Sequence, residues 1–224
     1  LSAAIKAGAD SVYFGVGELN MRARAANFGL EDLEEIVEKC EKNGVRSYLT
    51  LNTVMYDEDL ETMREVCDRA KEAGLSAVIA SDLAVIRYCN EIGLEVHMST
   101  QANISNIEAV RFYSEFADTV VLARELTVEQ VKEIAEKVEE EGITGPSGEL
   151  VDIEVFVHGS LCVAVSGQCY MSVHQYNHSA NRGDCLQACR REYTVTDKQT
   201  GDELTLGNNY VMSPKDLCTI GMLD

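Results

Sequence analysis

Apolar and polar positions along the first two-thirds of the chain repeat one unit. A turn carrying Gly or Asp leads into a short β-branched and aliphatic run, which ends in polar residues and is followed by an amphipathic stretch of helical period. Six runs read as strands: residues 11–15 (SVYFG), 46–52 (RSYLTLN), 77–81 (AVIAS), 95–99 (EVHMS), 119–123 (TVVLA) and 153–158 (IEVFVH). Helical spacing covers residues 30–43, 60–73, 81–92, 104–116 and 127–141, after a short opening helix over 2–7. Asp57, Ser105 and Thr127 read as N-caps, and Gly44, Gly74 and Gly93 sit where helices should stop.

Strands that alternate with helices imply a parallel sheet, because each crossover must cover a sheet face before the next strand begins. A doubly wound sheet and a (β/α)₈ barrel both satisfy that pattern. Polar residues just after the strands favour the barrel: Asn52, Asp82, Thr100 with Gln101, Arg124 with Glu125, and His158. In a barrel those ends share one rim, where functional residues gather. The expected fold is therefore α/β, a TIM-like (β/α) barrel over residues 1–160 that is incomplete, with six visible strands. Closure would need one further strand at each end, so the chain reads as a fragment, or as one whose sheet a partner chain completes.

Residues 161–224 read differently. A strong turn at 144–149 (TGPSGE) precedes the sixth strand, and beyond Cys169 the periodicity fades into an irregular stretch over 175–184. Residues 192–211 then alternate around a turn at 200–202, as a hairpin does. An irregular region of this length calls for a function or a metal.

Composition narrows the class. With 224 residues, 46% hydrophobic and 25% charged, the chain can bury a real core and is neither disordered nor fibrous. No apolar run is long enough to cross a bilayer, and the first residues lack a signal leader, so a cytoplasmic protein without membrane association is expected. A formal net charge of -19 opposes nonspecific nucleic-acid binding at long range, unless a local basic patch overcomes it.

Cys40, Cys67 and Cys89 are isolated within helical patterns, whereas Cys162, Cys169, Cys185, Cys189 and Cys218 crowd the last third. Without a secretory signal, metal ligation explains the second group better than disulfides do. Thiolates are soft donors that suit either tetrahedral zinc or an iron–sulfur cluster, and the lack of paired CxxC motifs leans toward the cluster. Five candidates serve four positions. The bland alternative is free, inert thiols.

The run over 154–172 (EVFVHGSLCVAVSGQCYMS) resembles the signature of peptidase family U32, with Glu, Phe, a Gly-Ser pair, Cys, then Gly-x-Cys and Ser. Similarity extends to 179–193 (SANRGDCLQACRREY), 213–218 (SPKDLC), 7–15 (AGADSVYFG) and 121–126 (VLAREL). The resemblance implies a modified or incomplete barrel with a 4Fe–4S cluster on four cysteines. It also implies hydroxylation of aromatic or nucleobase rings without molecular oxygen: on a tRNA uridine, giving 5-hydroxyuridine with a prephenate-derived donor, on ribosomal RNA, or on a ubiquinone precursor. The older family name comes from collagen-degrading activity. Matched residue by residue, the resemblance makes Cys162, Cys169, Cys185 and Cys218 the ligands and leaves Cys189 spare, with an exchange of Cys189 for Cys185 or for Cys218 as the alternative.

Other candidates follow from position. His158 at the rim is a candidate general acid or base, as is Glu125, whose bland role is to pair with a neighbouring charge. Tyr13, Asn52, Gln101 and Arg124 are candidate substrate-binding residues at strand ends. Arg182, Arg190 and Arg191 form the one dense basic patch, able to balance cluster charge or to grip RNA phosphates; solvated surface charge is the bland reading. Gly167 and Gly183 would permit close backbone approach near the thiols. His97, inside a strand, points either to the barrel interior or to the helix layer and is compatible with a structural role, and His174 with His178 lack the helical context of a zinc pair. Neither HExxH nor GxSxG occurs, and Cys162 with His158 is the one conceivable peptidase pair. Three functions are therefore in play: an RNA hydroxylase with an unspecified electron donor, a peptidase, and a noncatalytic metal-stabilised binding module.

Overall fold

The structure, a computed structural model, describes residues 1–21, 23–25, 27–206 and 216–222. A short helix, α1 (Ser2–Lys6), leads into a six-stranded sheet of β1 (Ser11–Gly15), β2 (Arg46–Leu51), β3 (Ala77–Ala80), β4 (Val96–Met98), β5 (Thr119–Val121) and β6 (Asp152–Glu154). Every neighbouring pair is parallel and the strands lie in chain order. The crossovers hold α2 (Leu33–Glu41), α3 (Leu60–Glu72), α4 (Leu83–Ile92), α5 (Ile107–Ser114) and α6 (Val128–Glu141).

That order decides between the two parallel architectures. Right-handed crossovers between successive neighbours put every helix on one face of the sheet, whereas a doubly wound sheet reverses direction at a switch point. The sheet is singly wound and curls into a half-barrel. Period-two alternation then sorts side chains between its faces. Val12, Phe14 and Val16 pack toward Leu33, Ile36 and Val37 of α2, while Tyr13 turns to the concave side. In register across that concave side, Tyr13 faces Tyr48 and Val121 faces Glu154.

The core lies between sheet and helices, with Leu33, Leu49, Leu51, Met63, Met98, Ile104 and Leu122 fully buried. Each such side chain contributes roughly 1.5–3 kcal/mol of apolar transfer. Cys40, Cys67 and Cys89 fill this layer as small apolar groups, with the sulfurs of Cys67 and Cys89 3.6 Å apart. The hydrogen bond to Cys67, followed by burial, pushes the Cys89 thiol pKa up, so it stays protonated. The ring of His97 packs against Tyr48 at 4.5 Å between centroids, and its Nε2 lies 2.9 Å from Glu95 Oε1. Arg46 pairs with the same carboxylate at 2.8 Å.

Boundaries differ from expectation where contacts distant in sequence intervene. The run over 153–158 is not one strand: the chain leaves the sheet after Glu154, and β7 (His158–Gly159) pairs elsewhere. Helix α5 starts later than the apolar pattern does, because Ile104 bridges Leu122 and because Asn106, not Ser105, caps the helix by accepting from Ala109 N at 2.9 Å. Asp57 is likewise displaced: it opens a 3-10 turn, and Asp59 occupies the cap position of α3. Thr127 caps α6 as expected, and Gly44, Gly74 and Gly93 all adopt positive φ.

The tail contains a short helix, α7 (Met171–Tyr176), in a stretch without clear helical pattern. It continues into the expected hairpin, β8 (Tyr193–Thr196) against β9 (Glu203–Leu206), and ends with β10 (Leu217–Cys218) antiparallel to β7. Residues 207–211 of the expected hairpin and 213–215 of the SPKDLC stretch lie outside the described residues. Among the described residues no helix is long and apolar enough to cross a membrane.

Candidate active site

At the C-terminal ends of the strands the tail folds over the concave face and encloses a cavity of about 450 Å³. That volume suits a small organic molecule. The half-barrel contributes Tyr13, Asn52, Gln101, Arg124 and Glu154 to its wall. The tail contributes His158 and the thiols of Cys162, Cys169, Cys185 and Cys189.

A polar network seats the thiol-bearing loops on the rim. Asn52 Oδ1 accepts from Met21 N at 3.1 Å, and its amide donates to Ser99 Oγ at 3.4 Å. The Ser99 hydroxyl in turn donates to Gln101. Asn103, held at φ 53°, donates to the carbonyls of Gln101 and Ser166 at 2.9 Å each, and Arg124 Nη2 donates to Ser166 Oγ at 2.5 Å. Between Cys162 and Cys169, Gly167 has φ +70°, and a Cβ there would stand 3.2 Å from Gln101 Cγ.

The second loop is clamped in the same way. Asn181 Oδ1 accepts from Cys169 N at 3.0 Å, and Asn181 O accepts from Val54 N at 3.2 Å. Arg182 donates to Val54 O at 3.0 Å, pairs with Asp59 and lies over the Tyr56 ring at 4.2 Å. That guanidinium holds the Asp59 pKa below the ordinary carboxylate value. At Gly183, φ is +85° and a Cβ would overlap the Asn20 carbonyl oxygen, so both glycines provide the close approach expected of them.

The Cys189 thiol responds electrostatically to the other three cysteines of the wall. Burial first, then the neighbouring Cys162 and Cys185, push the Cys189 thiol pKa up; Arg190 opposes this and Cys169 adds to it. Among the described residues no group of three or more His, Cys, Asp or Glu is arranged to hold a metal ion, although Cys162, Cys169, Cys185 and Cys189 all line one cavity. Cys218 is exposed and does not line the cavity; its backbone pairs with that of His158.

The remaining candidates separate in space. Glu125 is exposed and outside the cavity wall, although its neighbour Arg124 lines it. The three arginines do not form a free basic patch. Arg182 is committed to Asp59, Arg190 Nη2 pairs with Asp216 at 3.2 Å, and Arg191 lies over the Tyr176 ring at 4.6 Å. Glu154 is the wall residue that position-by-position reading passed over. It stays open to solvent inside the concavity, where partial burial raises its pKa and the His97 charge offsets part of that rise. Its place in the signature run was the available signal.

The sequence profile of peptidase family U32 matches residues 1–224. The chain belongs to peptidase family U32. It is 62% identical over 225 residues to a protein named collagenase from Porphyromonas gingivalis, covering 100% of this chain and 54% of that protein. It is 34% identical to tRNA hydroxylation protein P1 of Bacillus subtilis, covering 97% of this chain and 50% of the relative. The 23S rRNA 5-hydroxycytidine C2501 synthase of Escherichia coli is 39% identical over 88% of this chain and 28% of its own length. The chain thus spans about half the length, or less, of these relatives. A solved U32 peptidase shares the fold, with a TM-score of 0.52 at 16% identity over 68% of this chain and 62% of that one.

Proposed function

We propose that this U32 protein is an iron–sulfur-dependent, oxygen-independent RNA hydroxylase, acting on a tRNA uridine to give 5-hydroxyuridine with a prephenate-derived oxygen donor. The observation that carries the reading is that four thiols and the strand-end side chains wall one cavity. Sulfur donors suit an iron–sulfur cluster, and four cysteines on one cavity wall match the four thiolates such a cluster takes. Cys162, Cys169, Cys185 and Cys189 would hold it, with Cys189 in place of Cys218 because only the former lines the cavity. Bound there, a 4Fe–4S cluster supplies electron transfer beside the substrate. Relatives named for tRNA hydroxylation and for rRNA hydroxycytidine synthesis support the reaction class.

The chain's own residues have distinct tasks. Tyr13, 57% exposed on the concave side, offers a ring on which a base can stack. Asn52 and Gln101 fix the rim against which the base edge lies. Glu154, pushed toward its protonated form, is placed to exchange a proton with the substrate, and His158 shares the same cavity. Arg182 and Arg190 are left out of RNA binding, since carboxylates engage both.

The test is nucleoside mass spectrometry of tRNA from cells lacking the gene, complemented with wild type or with Cys162→Ala. Restoration of 5-hydroxyuridine by wild type alone is expected; restoration by both would overturn the reading. The 62% identity to a protein named collagenase supports a peptidase as the second reading. That chemistry needs Cys162 as a free nucleophile beside His158, a role that ligation removes. Gelatin cleavage by protease-free protein, abolished in His158→Ala, would select it.

A further inference from the structure

We propose that Arg124 and Thr100 form a carboxylate-binding subsite in the cavity wall. It rests on the hydroxylase reading for the anion's purpose; its own basis is two donors without partners. Among the described residues that line the cavity Arg124 is the one Lys or Arg, and no carboxylate among the described residues pairs with it. Its Nη2 serves Ser166, while its Nε is buried with no hydrogen-bond partner. Thr100 is 9% exposed, and its hydroxyl is likewise buried and unpartnered. The two residues stand just past the ends of neighbouring strands β4 and β5, whose loops are joined by the Ala123 N to Ile104 O hydrogen bond of 2.7 Å.

Native proteins pair nearly all buried polar groups, so two orphan donors on one cavity call for an acceptor from outside the chain. One donor is cationic, which selects an anion. RNA backbones are bound by several Lys or Arg side chains acting together, whereas a single guanidinium among the described residues of the wall suits one small-molecule carboxylate. The rest of the wall includes Ile79, Val121 and Phe156, so the preferred anion carries an apolar body. Arg124 otherwise serves as a clamp on Ser166, between Cys162 and Cys169, or as counter-charge to the sulfur wall. Both roles give different results below.

Isothermal titration of the purified protein with phenylacetate, neutral phenylacetamide and phenyl phosphate tests the proposal. Phenylacetate should bind, and phenylacetamide should bind at least about tenfold more weakly. Arg124→Gln should weaken phenylacetate roughly ten- to a hundredfold, and Thr100→Val by roughly two- to tenfold. Ser166→Ala, which removes the clamp but keeps the guanidinium, should bind within about twofold of wild type; thermal melts confirm that each variant folds. The proposal is overturned if the amide binds equally, if Arg124→Gln binds like wild type, if Ser166→Ala loses as much as Arg124→Gln, or if phenyl phosphate binds more tightly than phenylacetate. Because the titration needs no turnover, its failure leaves iron content and tRNA hydroxylation standing, and failure of hydroxylation leaves the titration standing.

Discussion

Replacing Gly183 with Ala should loosen the thiol-bearing tail from the half-barrel without unfolding the core. The backbone at Gly183 has φ +85°, where an L side chain costs about 1–2 kcal/mol. The added methyl would also overlap the Asn20 carbonyl oxygen and stand 2.9 Å from Ala23 Cβ, and overpacking of that kind costs about 1–3 kcal/mol. Together the penalty on the docked state is about 2–5 kcal/mol, which raises the open population by roughly thirtyfold or more. Cysteine alkylation of the metal-free protein, resolved by mass spectrometry, reads this directly. Cys169 and Cys189 are part-buried in the tail, while Cys40, Cys67 and Cys89 are fully buried in the core and report global opening. When opening is fast relative to labelling, alkylation follows the open population. Cys169 and Cys189 should therefore label at least about tenfold faster in Gly183→Ala, with the core cysteines still protected. Labelling within about twofold of wild type would refute the close approach of this loop to Asn20 and Ala23.

Asn181→Ala removes the acceptor for the Cys169 N–H and should cost about 1–2 kcal/mol in urea denaturation, with faster Cys169 labelling. Asp59→Ala leaves the part-buried Arg182 without its carboxylate and should cost about 1–3 kcal/mol at pH 7. Because Asp59 has a lowered folded pKa, the wild-type advantage over this variant is present above the ordinary Asp pKa and disappears as pH falls through the folded value; melting curves between pH 7 and pH 2 measure it. Glu154 has the opposite sign: its raised folded pKa means that ionisation opposes folding, and stability is lost as pH rises through that value. Glu154→Gln should accordingly melt higher than wild type at pH 8 and equally at pH 4, and a lower melting point at pH 8 would contradict the assignment.

The half-barrel was legible because its strands obey local rules. Residues 11–15 form β1 as the pattern predicts, and Asn52, Thr100, Gln101 and Arg124, just past successive strands, line one cavity, whereas Asp82 and Glu125 do not. What the pattern could not show depends on contacts between distant positions. The apolar residues 155–157 prolong the strand signal past Glu154, yet β7 pairs with β10 some sixty positions further on. Arg182 and Arg190 read as a basic patch because their partners, Asp59 and Asp216, lie far away in sequence. Spacing left five thiols for four places; the proposed set rests on Cys189 lining the cavity wall while Cys218 does not. Glu154 was passed over because a carboxyl's environment, not its type, raises its pKa.

Iron and acid-labile sulfide analysis of anaerobically purified protein, set beside each single Cys→Ala variant of the tail, tests the central claim most directly. The account predicts about four iron and four sulfide per chain in wild type and in Cys218→Ala, as expected of a 4Fe–4S cluster. It predicts loss of both in Cys162→Ala, Cys169→Ala, Cys185→Ala and Cys189→Ala. A colourless wild type carrying one zinc, or a cluster that survives Cys189→Ala and is lost in Cys218→Ala, would contradict it.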